Sequence, residues 1–373
     1  MRRGERDMMW IMILGSVIAA CIAGGAYMTF AVARFGVLQK LSVRKRMKLL
    51  ISLGCIVVCF AAVVLFMDVI NAIIVFLHVM LFFLLFGLIF RVIKAISGKK
   101  PRLYLQGWLA LAVSVIYLVI GYILCNNVWQ TDYNLKTDKQ IGTLKVALIA
   151  DSHLCTTFGA DGFAKHLDTI MEQDPDILVI SGDFVDDGTD RENMVKACEA
   201  LGKLDVKYGV WFAYGNHDKG YYGSEHRGFS AQDLEENLKK NNVQILMDSY
   251  ELVDDRFYIV GRKDKSDNDR AELADVIKDV DKDKYIIVLD HQPADYEKES
   301  ETDADLVLSG HTHGGQFFPV TYVGEWIGAN DRTYGYEERN DTEFIVTSGI
   351  SDWAIKFKTG TKSEFVIINI EQE

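Results

Sequence analysis

Four long apolar runs fill the first third of the chain: Trp10 to Ala33, Leu49 to Met67, Val69 to Phe90 and Leu103 to Cys125. A bilayer is crossed by about 20 residues of helix, and within hydrocarbon a helix satisfies all of its own backbone groups. Residues 1–125 are therefore expected to form a transmembrane module of four helices, with a tight hairpin near Asp68 to Asn71 between the second and third. The Ala31-Val32-Ala33 triplet resembles a signal-peptidase site, but the run before it is too long for a typical leader. An anchor is the better reading.

Charge sets the expected orientation. The stretches "RFGVLQKLSVRKRMK" and "RVIKAISGKKPR" are both basic, whereas the Asp68 turn carries no positive charge. Lys and Arg beside spans stay cytoplasmic, so the rest of the chain is expected outside. Arg2, Arg3 and Arg6 oppose this, partly offset by Glu5 and Asp7. The spans hold few ionisable groups besides Asp68 and His78, which argues against a transporter. His78 is expected to hydrogen-bond a neighbouring helix.

The second part of the chain is different. Residues 1–125 hold 14 of the 40 Lys and Arg and only 3 of the 52 acids, which leaves 126–373 with a net charge of −23. Such acidity argues against a nucleic-acid groove, which works by neutralising phosphates with Lys and Arg. Cys21, Cys55, Cys59, Cys125, Cys155 and Cys198 show no CxxC spacing, so neither a disulfide framework nor a thiolate zinc site is indicated. Residues 126–142, polar and without periodicity, read as a linker, and 143–373 as one domain.

In that domain short apolar runs alternate with helical periods, the mark of an α/β fold. Strands are expected at Leu144 to Ala150, Asp176 to Ser181, Gly209 to Tyr214, Tyr285 to Asp290, Asp305 to Ser309 and Glu343 to Ser348. Helices are expected at Asp161 to Gln173, Thr189 to Leu204, Ala231 to Lys240 and Asp269 to Val280. Five of the strands end on metal-capable side chains: Asp151 and His153; Asp183 with Asp186 and Asp187; Asn216, His217 and Asp218; His291; and His311 and His313. The carboxyl edge of such a sheet is where ligands bind. One histidine there would read as a core residue; five in the same position read as a site. His166 and His226 lack that context and are assigned to the surface.

Carboxylate, amide and imidazole without thiolate suit Mn, Fe or Zn better than calcium. The ligands are too many for one ion, and two ions sharing a carboxylate make a clamp for displacement at phosphorus. The series "DSH", "GDFVD", "GNHD", His291 and "GHTH", in this order, resembles the calcineurin-like metallophosphoesterases over about Leu144 to Ile370. The "GGQ" continuation looks like that family's membrane-associated bacterial phosphodiesterase branch, whose relatives include enzymes acting on nucleotide-linked lipid-A precursors.

The resemblance implies a four-layer α/β/β/α sandwich and two divalent metals, Asp151, His153, Asp183 and His313 holding one and Asp183, Asn216, His291 and His311 the other. It also implies in-line attack on phosphorus by a metal-activated water, with His217 as general acid on the leaving group and Asp218 orienting its ring. The expected function is thus a membrane-anchored phosphodiesterase acting on a lipid-linked, envelope or nucleotide phosphate ester. A phosphomonoesterase or protein phosphatase, and a metal-stabilised sensor module, are the alternatives.

Smaller features stay open at this level. Asp186 and Asp187 fit either a supporting carboxylate or a solvated turn. "KGYYGSEHRGF" reads as a substrate lid or, more simply, as a surface loop anchored by its tyrosines. Trp326 and Trp353 fit either a cleft lining or plain packing.

Overall fold

The computed structural model describes residues 3–98 and 103–373. Of the basic residues used for orientation, Arg2, Lys99, Lys100 and Arg102 lie outside the described residues. The chain divides into two compact units, one ending at Ile120 and the other Gly121–Glu373.

In the first unit the apolar runs become helices α1 (Arg3–Ala33), α2 (Lys45–Phe66), α3 (Val69–Ser97) and α4 (Leu105–Asn126), the last continuing into the second unit. All four are long and apolar enough to cross a membrane. The hairpin turns at Asp68, whose carboxylate caps α3 by accepting from the Asn71 N–H at 2.8 Å. Phe35, after α1, meets Phe83, Tyr104 and Trp108 edge-on, which ties three helices together. His78 bonds the Ile74 carbonyl of its own helix and stacks on Tyr117 of α4.

The second unit contains two six-stranded sheets. Its strands are β1 (Val128–Thr137), β2 (Thr143–Ile149), β3 (Ile177–Ser181), β4 (Val210–Ala213), β5 (Val243–Leu246), β6 (Ser249–Val253), β7 (Phe257–Gly261), β8 (Tyr285–Leu289), β9 (Leu306–Ser309), β10 (Gly335–Arg339), β11 (Thr342–Val346) and β12 (Ser363–Gln372). They are ordered β1-β12-β2-β3-β4-β5 and β10-β11-β9-β8-β7-β6. Because strand side chains alternate, Val146, Leu148, Ile177 and Val179 face the second sheet and pack with Ile259, Ile287 and Leu308. Ala147, Ile149, Leu178 and Ile180 point the other way, onto α5 (Ala160–Met171), α6 (Arg191–Leu201) and α7 (Ala231–Lys240). The short helices Leu273–Val276 and Tyr296–Glu299 cover the outer face of the second sheet. The result is the expected α/β/β/α sandwich, its central strands buried on both faces and therefore apolar throughout.

Two expectations are corrected. Residues 126–142 are not a linker: ten of them form β1, which pairs in parallel with β12 along its whole length. Only Leu135 of that strand is fully buried, and such a half-wet edge strand leaves little apolar period to read. The helix expected over 269–280 is only the single turn Leu273–Val276; Leu273, Ile277 and Val280 are buried against the second sheet, mostly without helical backbone.

Candidate dinuclear metal centre

The two sheets place the five motifs on turns at the carboxyl ends of β2, β3 and β4 in one and β8 and β9 in the other. Asp151, His153, Asp183, His311 and His313 all have positive φ, between 34° and 71°. Non-glycine residues avoid that region, so five together mark backbone held in place by its surroundings. The left-handed turns at both histidines of "GHTH" explain how residues two apart reach different groups. Gly310 is required for another reason: a Cβ there would collide with Asp151.

Two clusters result, each with ligand atoms within 4.8 Å of one another. One is Asp151, His153 and His313, the other Asp183, His291 and His311. Asp183 Oδ2 stands between them, 3.1 Å from His291 Nε2 and 3.5 Å from His153 Nε2. Its Oδ1 accepts from the His217 N–H at 2.8 Å, which draws the "GNHD" turn to the centre.

The imidazoles are pre-oriented. His153 Nδ1 bonds Asp186 at 3.1 Å, and His291 Nδ1 bonds the Ser181 carbonyl at 2.8 Å. With those hydrogens on Nδ1, the neutral rings would present their Nε2 lone pairs to the site. His153 Nε2, His291 Nε2 and Asn216 Oδ1 are buried with no hydrogen-bond partner among the described residues. Three orphaned acceptors converging on carboxylates fit divalent cations and little else.

The electrostatics agree. Against the penalty of burial, His291, His153 and His217 hold the Asp183 carboxyl far below the usual range. Burial lowers His153, but Asp186, Asp183 and Asp151 more than compensate and raise it; His291 is likewise raised well above its ordinary value, chiefly by Asp183. Burial and His291 push His311 down to about 4. A dication would replace the protons that now pair with these carboxylates.

Residues 144–315 match the family model for the calcineurin-like phosphoesterase. An uncharacterized metallophosphoesterase of Campylobacter jejuni is 30% identical over 295 residues, which cover 75% of each chain. The chain belongs to the calcineurin-like metallophosphoesterases. It is accordingly a metal-dependent phosphoester hydrolase of a dimetal family. A zebrafish (Danio rerio) transmembrane protein with a metallophosphoesterase domain is 28% identical over 324 residues, covering 79% of this chain and 71% of its own, and four helices able to cross a membrane agree with membrane association. Among solved structures, a dimetal phosphatase from Danio rerio aligns over 55% of this chain and 87% of its own, with 11% identity and a TM-score of 0.33.

Other residues of this metallophosphoesterase stand differently from expectation. Asp218 does not reach the His217 ring; its oxygens accept from the N–H groups of Asp183, Val185 and Gly215 and lock two ligand turns together. The His217 ring instead neighbours Tyr221 at 5.0 Å, His153 at 5.1 Å and Trp353 at 5.3 Å between centroids. Trp353 thus lines the site. The tyrosines of "KGYYGSEHRGF" are not core anchors: Tyr221 and Tyr222 are exposed, and the Tyr221 hydroxyl accepts from Asn216 Nδ2. Asp187 fastens this loop by accepting from the N–H groups of Tyr221 and Tyr222, while buried Asp186 supports His153. His166, against Phe158, and exposed His226 belong to neither cluster.

Asp352 was not foreseen. Its Oδ1 lies 3.1 Å from His313 Nδ1, and its Oδ2 accepts from the Cys125 thiol at 3.1 Å, with the buried Lys358 ammonium 3.5 Å away. Expecting a chemical residue after β11, as after the other strands, would have found it.

Proposed function

We propose that this is a membrane-anchored phosphodiesterase whose catalytic unit faces away from the cytoplasm and in which Asp183 would help to hold both of two metal ions. The observation that carries the reading is the position of Asp183 Oδ2 between the free Nε2 atoms of His153 and His291, one from each cluster. When bound, two divalent ions would neutralise phosphate charge and lower the pKa of a water molecule. Asp151, His153 and His313 would hold one; Asn216, His291 and His311 the other; Asp183 both.

The chain's own groups supply the rest. His217, half-buried and with its ring beside that of His153, stands at the centre as the candidate group to protonate a leaving oxygen. Burial lowers its pKa, partly offset by Asp183, so the neutral ring is favoured until a phosphate anion binds beside it. Tyr221 and Trp353 flank that ring and shape the leaving-group side. The outward orientation is supported by the basic residues Arg34, Lys40 and Arg44 between α1 and α2 and Lys45, Arg46 and Lys48 in the first turn of α2.

The test is hydrolysis of bis(p-nitrophenyl) phosphate and p-nitrophenyl phosphate by the full chain in nanodiscs, loaded in turn with Mn, Fe, Co and Zn. Faster turnover of the diester supports the proposal, and faster turnover of the monoester transfers it to a phosphomonoesterase. His217→Ala should retain both ions yet lose about 10²- to 10⁴-fold in kcat on an alkyl-leaving diester. Cleavage of the catalytic unit by protease added to intact cells checks the orientation.

A further inference from the structure

The loop after "GHTH" is unusual for a water-facing surface. Between Gln316 and Gly328 it exposes Phe318, Val320, Tyr322, Val323, Trp326 and Ile327, with Trp326 and Ile327 more than 70% accessible. Its one charged residue, Glu325, is turned inward, accepting from the Thr333 N–H at 2.6 Å. Exposed apolar side chains are ordinary when scattered; Val320, Tyr322, Val323, Trp326 and Ile327, five within eight residues of one loop, make an apolar patch suited to a partner surface.

The loop's attachment identifies that partner. Gln316 accepts from the N–H groups of Thr359 and Gly360 through its carbonyl and donates from its side chain to the Phe357 carbonyl. The Phe318 N–H donates to Thr359 Oγ1. The same segment is bonded to the end of α4: the Lys358 N–H donates to the Gly121 carbonyl at 2.9 Å, and Tyr122 packs edge-on against Phe357. Residues Gly121–Asn126 are the last turns of a helix apolar enough to span a membrane. The loop is therefore fixed, two hydrogen-bonded steps away, to the carboxyl-terminal end of α4.

We propose that the loop Phe318–Ile327 is seated in the interfacial layer of the bilayer that α4 crosses, so that the metal centre opens at the lipid surface. Tryptophan, tyrosine and phenylalanine favour that layer, and apolar insertion needs no positive charge, which suits a catalytic unit as acidic as this one. His311 and His313 stand at the other end of the loop, so docking sets their distance from the phosphate groups of the membrane. This deepens the function proposed above, and rests on it, by pointing to substrates whose phosphate is presented at a membrane surface.

The test reads insertion directly and does not need turnover. Full-length protein is placed in nanodiscs of zwitterionic phosphatidylcholine brominated near the glycerol end of its chains, and Trp326 fluorescence is taken as the difference between the natural protein and Trp326→Phe. The expected result is a blue-shifted component, quenched at least twofold by the brominated lipid and shielded from iodide. A component emitting as in water, quenched by iodide and indifferent to bromine, overturns the proposal. Phe318→Ser with Ile327→Ser provides the second arm: the Trp326 component should lose at least half of its lipid quenching, and unchanged quenching contradicts docking through these side chains. Failure of hydrolysis in the assay above would refute the enzymatic reading without altering either fluorescence result.

Discussion

Asp183 and Asp352 show the two ways in which single residues build this site. Asp183 is written into the "GDFVD" motif, and its type and place were legible because a carboxylate after a buried strand has few structural uses. Asp352 lies in "GISDW", which resembles no motif, and its role depends on a three-dimensional meeting with His313, Lys358 and Cys125. Asp218 was legible in position but not in role, because sequence cannot show which donors a buried carboxylate will meet. Supporting groups of this kind typically change metal affinity by about 10- to 100-fold. Asp352→Asn and Asp186→Asn should each weaken metal binding by that amount, measured by titration with a chelator competitor, while circular dichroism stays unchanged. Asp218→Asn should lower the melting temperature more than either, since three backbone N–H groups depend on its oxygens.

Among the elements, the six strands read from apolar runs are present within a residue or two, because central strands buried on both faces are apolar along their whole length. Six strands were not expected: β1, β5, β6 and β10 form the sheet edges and mix polar with apolar residues, whereas β7 and β12 lie inside the sheets and are buried along most of their length. β1 has a practical consequence. A soluble catalytic fragment beginning at Asn127 retains all ten pairs with β12, whereas one beginning at Gly142 loses them and uncovers that edge. The shorter fragment should be the less stable in urea and aggregate at lower protein concentration, as an unprotected edge strand does. Equal denaturation midpoints would show that β1 contributes no stability to the sheet.

The whole molecule joins an apolar helical unit to an acidic hydrolase whose two aspartate-histidine clusters couple metal, protons and stability. In the metal-free protein His153 and His291 have folded pKa values above the unfolded value of about 6.5. Their stabilising contribution is complete below that value and is lost as pH rises through the raised ones. The melting temperature of metal-free protein should therefore fall on going from pH 6 to pH 9, the metal-loaded protein should resist that fall, and metal uptake at pH 7 should release protons measurable in buffers of different ionisation enthalpy. The most direct check of the central claim is metal content by mass spectrometry of the purified full chain and of Asp183→Asn, with diester hydrolysis on the same samples. The account predicts two ions per chain and turnover in the natural protein, and near-complete loss of both ions and of activity in the variant; a variant that keeps an ion at full occupancy, or stays active, would contradict a centre bridged by Asp183.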